Sequence, residues 1–311
     1  MSTLWAFPGQ GAQQPGMLHV LASDDSTREC LDEASAALGQ NVLELDSNTA
    51  LSSTRAVQLC LLITGVAYAR LLLARGHRPD YVSGLSIGAY AAAVVSGAMS
   101  FADALRLVSL RGHLMQQAYP QGYGMTAIIG LDLATTERLL AQVNCAEQPV
   151  YLANINADTQ QVIAGSDSAM QQVAALAKNA AAGCAKRLAM SVPSHCPLLA
   201  VPALELVEAS AKVCVKAPAI RYLSSSSARL LTRPEQLRDD LANNMCRIVD
   251  WRNTLQTAYE RGVRLHLELP PGTVLTGLAR RVFGAGQALA FQGVRLDTLD
   301  AMLRQEASRD F

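Results

Sequence analysis

The stretch Tyr81-Val82-Ser83-Gly84-Leu85-Ser86-Ile87-Gly88-Ala89-Tyr90 carries no charged side chain and contains the pattern G-x-S-x-G. Residues 81–83 predict a short strand, and residues 87–95 predict a helix. A serine at a tight turn between such elements projects its hydroxyl outward, and the helix start offers free N–H groups. The stretch therefore predicts an α/β fold with Ser86 as nucleophile and the Ile87 N–H as a donor to an oxyanion.

The uncharged run around this motif is long enough to raise the question of a membrane span. It extends over 22 residues, from Tyr81 to Ala102, between two aspartates, and about 20 apolar residues can cross a bilayer. Gly84, Gly88 and Gly97 divide the run into a strand, a turn and a helix too short to span. We therefore expect a buried core element and no membrane association.

The composition sets the broad class of protein. The chain has 311 residues, of which 50% are hydrophobic and 17% charged, with 26 basic and 26 acidic side chains. The length predicts one large domain or two of ordinary size. The composition predicts neither general disorder nor a generally basic surface that binds nucleic acid. The seven cysteines show no CxxC pair, so no metal site is predicted. With no secretory signal recognised in residues 1–10, a reduced cytoplasmic location is expected.

The coarse pattern predicts one larger α/β unit with a smaller unit inserted in it. Residues 3–7 predict a strand, and the apolar residues 52–75 predict a buried helix that ends at Gly76 and contains too few uncharged residues to span a bilayer. Between residues 124 and 191 the predicted order is βαββαβ, which is typical of a ferredoxin-like module. The predicted domains are therefore 1–123 with 192–311, and 124–191. The predicted elements of the smaller unit are strands 125–130, 150–155, 161–164 and 186–190, and helices 135–143 and 169–182.

A serine nucleophile needs a proton acceptor, and histidine is the usual one. Among five histidines, His195 has a modest lead because prolines bracket its loop at a predicted domain boundary, where clefts form. The other four have structural interpretations: His77 and His19 at the surface, His113 on a helix, His266 in the core. The group that orients the base stays open at this point: Asp250, Glu268, a backbone carbonyl or an amide oxygen.

Five motifs, in order along the chain, resemble those of malonyl-CoA:acyl carrier protein transacylases and of acyltransferase domains in polyketide synthases. They are Phe7-Pro8-Gly9-Gln10-Gly11-Ala12-Gln13, Gly84–Gly88, Leu110-Arg111-Gly112-His113-Leu114-Met115-Gln116, Ser191–Cys196 and Glu268-Leu269-Pro270-Pro271-Gly272-Thr273-Val274-Leu275-Thr276-Gly277-Leu278. The resemblance covers most of the chain. It implies a hydrolase-like α/β domain with a parallel sheet and an inserted ferredoxin-like domain.

The resemblance also implies roles for individual residues. Ser86 is the implied nucleophile and His195 the base, and Gln10 joins the Ile87 N–H in the oxyanion hole. Arg111 and Asn244 are the implied substrate-binding residues. Arg111 meets the malonyl carboxylate, because a guanidinium grips a carboxylate with two parallel hydrogen bonds.

Asn244 matches a position at which the family often has glutamine, whose backbone carbonyl orients the histidine. Asparagine preserves a backbone role and leaves the side-chain role open. Leu85 stands where family members often carry histidine. The elbow Gly84–Ala89 looks most like the branch attached to malonate decarboxylase, its epsilon subunit, which loads malonyl onto that enzyme's own carrier protein.

The resemblance implies an acyl carrier protein S-malonyltransferase with no permanently bound cofactor. Its substrates are malonyl-CoA and a carrier protein with a phosphopantetheine-type arm, and malonate decarboxylase subunits are further candidate partners. Candidate basic pairs for coenzyme A are Arg280-Arg281 and Lys186-Arg187. Other hypotheses are a fatty-acid or polyketide malonyltransferase, a serine thioesterase or esterase, and a non-catalytic carrier-docking subunit. A hydrolase needs an acid, for which Asp103 and Asp132 lie in the interval between Ser86 and His195.

Overall fold

The computed structural model describes residues 2–21 and 25–308. Its strands are β1 Ser2–Phe7, β2 Tyr81–Gly84, β3 Tyr123–Ile129, β4 Val150–Ala157, β5 Gln160–Ser166, β6 Cys184–Arg187, β7 Arg221–Leu223, β8 Leu230–Leu231, β9 Val249–Asp250, β10 Val263–Glu268 and β11 Gln287–Ala290. Its α-helices are α1 Met17–Leu21, α2 Asp25–Leu38, α3 Thr54–Ala74, α4 Gly88–Val95, α5 Phe101–Ala118, α6 Leu133–Val143, α7 Asp167–Asn179, α8 Ala200–Ala211, α9 Pro234–Asn243, α10 Trp251–Glu260, α11 Val274–Ala279 and α12 Leu296–Ser308. Short 3₁₀ helices are Val42–Asp46, Ala50–Ser52, Pro197–Leu199 and Asn244–Cys246.

The larger sheet places the candidate catalytic loops at one edge. Its strand order is β11-β10-β1-β2-β7-β8, and all neighbours are parallel except β7 and β8. Phe7 pairs with Gly84, and Ala6 pairs with Glu268, so the carboxyl ends of three central strands lie side by side. Ligands of open α/β sheets bind at this edge, and Gln10 and Ser86 follow two of these strands.

The smaller sheet has the predicted βαββαβ element order and one strand that the sequence did not predict. Its strand order is β6-β3-β5-β4-β9. The first four strands pair antiparallel, and β9 adds to β4 in parallel. Strand β9 is only two residues long, so its own sequence carries no recognisable strand pattern. The fold is thus mixed α/β with two sheets.

Several predicted element boundaries in this region differ from the structure, and two of the differences have a clear local reason. Strand β6 ends at Arg187 rather than at residue 190, because the Arg187 guanidinium binds the carbonyls of Leu188 and Met190 and the chain turns around it. Helix α7 begins before residue 169, because the Ser166 hydroxyl accepts from the Ala169 N–H and caps the helix.

Helix α3 forms the centre of the larger core. Ser53 caps its start. Gly76, at φ 88°, follows its end, as the sequence predicts. By length and composition α3 is apolar enough to cross a membrane, contrary to the sequence prediction, but 83% of its most apolar window is buried inside the protein. It packs against helices α2, α4 and α5, with Phe7 of β1 beside its Gly65, which accounts for its apolar surface on all sides.

Candidate active site

Ser86 lies at the turn between β2 and α4, in a backbone conformation that only tight packing maintains. Its φ is 56°, in the left-handed region that non-glycine residues rarely adopt. The flanking glycines allow this turn. A Cβ on Gly84 would lie 2.0 Å from the Gly88 carbonyl carbon, and one on Gly88 would lie 2.2 Å from the Phe7 oxygen. The motif glycines are therefore required by backbone contact.

His195 is positioned to accept the Ser86 proton. Its Nε2 lies 2.7 Å from Ser86 Oγ, and its Nδ1 lies 2.8 Å from the Asn244 carbonyl oxygen and 3.2 Å from that of Arg247. Carbonyl oxygens only accept hydrogen bonds, so we assign the proton to Nδ1, which leaves the Nε2 lone pair facing the serine. The His195 φ is 63°, and its backbone N–H donates to the Met245 oxygen at 2.7 Å, which fixes the backbone at this position.

The environment of His195 keeps it neutral. Burial, together with the positive charge of Arg111, lowers its pKa from 6.5 to about 4. Its hydrogen bonds to the carbonyls of Asn244 and Arg247 oppose this effect in part. A neutral imidazole with a free Nε2 is the form that serves as a general base.

None of the carboxylates considered from the sequence takes the orienting role. Asp250 caps α10 through the Asn253 N–H, and Asp132 caps α6. Glu268 accepts from the N–H and hydroxyl of Thr276. Asp103 binds Ser100 and Arg106 at the surface. The groups at hydrogen-bond distance from His195 Nδ1 are the backbone carbonyls of Asn244 and Arg247, the first of which the resemblance implied.

Arg111, on helix α5, is a buried cation surrounded by neutral groups. It is 0% exposed. Its Nη1 donates to Gln58 Oε1 at 2.7 Å, and its Nη2 donates to Asn244 Oδ1 at 2.8 Å and to Ser86 Oγ at 3.3 Å. Among the residues that the structure describes, no carboxylate lies within 4.0 Å of it. Burial lowers its pKa from 12.5 to about 10.

Asn244 differs from the sequence expectation of a substrate-binding residue. It is 0% exposed and does not line the cavity. Its Oδ1 is bound to Arg111, its Nδ2 donates to the Ser86 carbonyl at 3.2 Å, and its backbone oxygen holds His195. One asparagine thus connects the nucleophile, the base and the arginine, and its side chain is already occupied by protein groups.

The cavity that these residues enclose has a volume of about 250 Å³. Gln10, Ser86, Ile87, Arg111 and His195 all line it. Within the described chain, the Ile87 N–H has no hydrogen-bond acceptor, so it remains available to a bound group. Side chains from the smaller sheet and the loop after it close the other side: Met125, Ala127, Asn154, Asn156, Gln160, Val162, Leu188 and Met190.

Sequence reasoning missed Gln58 and misplaced two other residues. Gln58 is 1% exposed within the apolar helix α3, and an uncharged polar residue in such a helix was the available signal. His77, expected at the surface, is mostly buried with Nε2 2.9 Å from Asp300 Oδ1. Arg187 is engaged by backbone carbonyls and by Asp167, so its guanidinium is not free for a coenzyme. Arg280, in contrast, is exposed at the end of α11.

Comparison with known proteins gives a consistent result. The model of the acyl transferase domain family matches residues 4–292. Malonyl CoA-acyl carrier protein transacylase of Escherichia coli K12 is 37% identical over 284 residues, covering 89% of this chain and 92% of the relative. The Bacillus subtilis protein of the same name is 32% identical and covers 89% of both chains.

Solved structures agree over nearly the whole length. FabD from Acinetobacter baumannii is 37% identical with a TM-score of 0.92, covering 99% of both chains. A malonyl-transacylase solved in complex with its type II PKS acyl-carrier protein is 34% identical with a TM-score of 0.91, covering 100% of both chains. The chain therefore belongs to the acyl transferase domain family.

Proposed function

We propose that this protein moves a malonyl group from malonyl-CoA to the thiol of a carrier protein through a malonyl ester of Ser86. The observation that carries the proposal is the buried guanidinium of Arg111, which lies 3.3 Å from Ser86 Oγ and whose partners in the described part of the chain are all neutral. A substrate with a free carboxylate would supply the missing anion beside the nucleophile. The relatives named as malonyl transacylases support this choice of substrate.

The reaction would proceed in two acyl transfers. Ser86 Oγ attacks the thioester carbonyl, its proton passes to His195 Nε2, and the coenzyme A thiolate leaves and takes that proton. The carrier thiol then gives its proton to His195 and attacks the ester carbonyl, and Ser86 leaves as the alkoxide and is reprotonated. The distance of 2.7 Å between Nε2 and Oγ suits both proton transfers.

Each tetrahedral intermediate would need donors for its oxyanion. Within the described residues the Ile87 N–H, at the start of α4, has no acceptor, and Gln10 lines the same cavity. Removal of one such donor typically costs about 10²–10³ in rate. We assign both residues to this role.

The malonyl carboxylate would bind Arg111. Burial of a carboxylate without a partner is prohibitive, and a guanidinium already fixed by Gln58 and Asn244 needs no reorganisation to meet it. A thioesterase or esterase has no need of this cation. A non-catalytic docking subunit would not need the short contact between Ser86 and His195.

We further propose that the physiological acceptor is the carrier protein of a malonate decarboxylase, with the other decarboxylase subunits as partners. The support is the elbow sequence Gly84–Ala89. The competing acceptor is the carrier of fatty-acid or polyketide synthesis. Initial transfer rates to a carrier with a dephospho-CoA-derived arm and to a fatty-acid carrier compare the two directly. A faster rate with the fatty-acid carrier rejects the decarboxylase assignment.

The domain organisation is also part of the proposal. We propose a ferredoxin-like domain at residues 124–191 inserted in a hydrolase-like domain at 1–123 and 192–311, in the cytoplasm. The antiparallel strand order β6-β3-β5-β4 supports the first description, and the serine turn after a central parallel strand supports the second.

Mass spectrometry of the intact protein tests the proposed reaction. Incubation with malonyl-CoA and no acceptor should add one malonyl group, and Ser86→Ala should abolish the addition. Addition of a carrier with a free thiol should then remove the group and transfer it to the carrier. If wild type gains no mass, or if it releases free malonate rapidly without an acceptor, the protein is not the proposed transferase.

A further inference from the structure

A second cavity of about 310 Å³ is lined in part by the loops that follow β1 and β10, through Gln14, Pro270 and Pro271. The two cavities share no lining residue. Met17, Phe291 and Val294 contribute apolar walls to it, and Tyr68 packs its ring 4.8 Å from that of Phe291. Its volume lies within the range of small-molecule sites, about 300–1,000 Å³.

The wall of this cavity contains a buried hydroxyl with no partner. Thr64, in the middle of α3, is 2% exposed, and its Oγ1 makes no hydrogen bond within the described residues. A threonine in a helix usually donates to a carbonyl one turn earlier. A buried hydroxyl without a partner costs stability, and a ligand group that forms a hydrogen bond with it would remove that cost. Tyr68 follows one helical turn later and lines the same cavity.

The lining also defines the charge of the missing ligand. Among the residues that the structure describes, no charged side chain lines the cavity, and an ion buried without a counter-charge is unfavourable. We propose that the cavity is a binding site for a neutral, mainly apolar small molecule that carries one hydrogen-bonding group, such as an aromatic alcohol. Its hydroxyl would bind Thr64 Oγ1, and its ring or chain would contact Met17 and Phe291.

A molecule bound in this cavity would affect the acyl-transfer site through two chain segments, each of which contributes different residues to the two cavities. Gln14 lines the second cavity, and Gln10, four residues earlier, lines the first. Pro271 lines the second, and Gly272 beside it donates its N–H to Gln292, another lining residue. The loop then continues to Val274 in the first cavity. We expect a bound molecule to shift the kinetics of acyl transfer.

Paired probes test the site, because benzyl alcohol and toluene differ in the hydroxyl. Both should bind the whole protein saturably in a ligand-observed NMR titration. Thr64→Val keeps the side-chain shape and removes the hydroxyl. It should weaken benzyl alcohol about 3- to 10-fold, the size of one hydrogen bond, and leave toluene unchanged. Thr136→Val is the matched control, since Thr136 is 1% exposed, is hydrogen-bonded and lies in the smaller sheet's helix α6.

The outcomes separate the alternatives. Val294→Phe fills the cavity and should abolish binding of both probes. The proposal is wrong if neither probe saturates, if Thr64→Val weakens both equally, or if it weakens neither. Saturating benzyl alcohol should change kcat/KM of the wild type about 2- to 30-fold, and Thr64→Val should need more alcohol for the same change. Saturable binding with unaltered kinetics would refute the link between the cavities.

Discussion

Replacement of Arg111 provides the sharpest test of how the site selects its substrate. Burial lowers the pKa of this guanidinium from 12.5 to about 10. The difference of about 2.5 in pKa means that burial disfavours the charged form of Arg111 by about 3 kcal/mol. A malonyl carboxylate that pairs with the guanidinium would recover an energy of this order, whereas an acetyl group would recover none. Arg111 should therefore contribute a preference for malonyl over acetyl of about 10²-fold.

The assay compares kcat/KM for malonyl-CoA and acetyl-CoA at a fixed carrier concentration. Arg111→Ala should lower the ratio of the two values about 10²-fold. Arg111→Lys should recover only part of it, because an ammonium cannot bridge Gln58 and Asn244 as the guanidinium does. Arg106→Ala is the matched control on the same helix, since its side chain is 61% exposed, and it should leave the ratio unchanged. An equal loss with both substrates in Arg111→Ala would refute the reasoning, because the arginine would then serve the architecture of the site alone.

Three further predictions follow from the same network and from the core. Asn244→Ala removes the side-chain hydrogen bond to Arg111 but keeps the backbone carbonyl that orients His195. The value of kcat/KM for malonyl-CoA should therefore fall about 10- to 100-fold, while its pH profile should not change. A shifted pH profile would contradict this separation of roles. Because the pKa of His195 is lowered to about 4, kcat/KM of Ser86 acylation should stay constant from pH 8 to about 5, and a midpoint near 6.5 in stopped-flow measurements would show that the imidazole is not buried as described. Burial lowers the pKa of His266 from 6.5 to about 3. Below pH 6.5 the unfolded state therefore binds a proton that the folded state does not bind, and the free energy of unfolding falls. His266→Leu should remove about 2 kcal/mol of the loss between pH 7.5 and 5 in urea unfolding, whereas His113→Gln, at the surface, should leave that loss unchanged.

The nucleophile could be predicted from sequence because everything that creates it is local. Gly84, Ser86 and Gly88 lie in one turn, and the strand and helix on either side are legible from apolar patterning. The structure adds the reason for the glycines: Gly84 lies against the backbone of Gly88, and Gly88 lies against the backbone of Phe7. The resemblance, not the residue pattern, singled out Arg111 and the carbonyl of Asn244.

The rest of the site depends on contacts between distant segments. Gln58 and Asn244 meet Arg111 from positions 53 and 133 residues away. No periodicity or spacing encodes such a meeting, because it results from the packing of α3, α5 and the turn after α9. The same holds for strand β9, which exists only because β4 offers it an edge. Local sequence specified the elements, and tertiary packing decided which buried polar groups would touch.

The absence of an acid beside His195 in the described chain has a consequence for selectivity. A carboxylate at that place would raise the pKa of the imidazole and would also offer Arg111 a permanent partner in competition with the substrate. The carbonyl of Asn244 raises the pKa of His195 only in part, and the neutral side-chain oxygens of Asn244 and Gln58 do not neutralise the charge of Arg111. Because the charge of Arg111 helps to lower the pKa of His195, a malonyl carboxylate that pairs with Arg111 should raise that pKa and make His195 a stronger base. The acid limb of kcat should therefore lie at higher pH than that of kcat/KM when malonyl-CoA is the donor. With acetyl-CoA the two limbs should coincide, and a separation of equal size with both donors would show that the arginine does not transmit the charge of the substrate to the base.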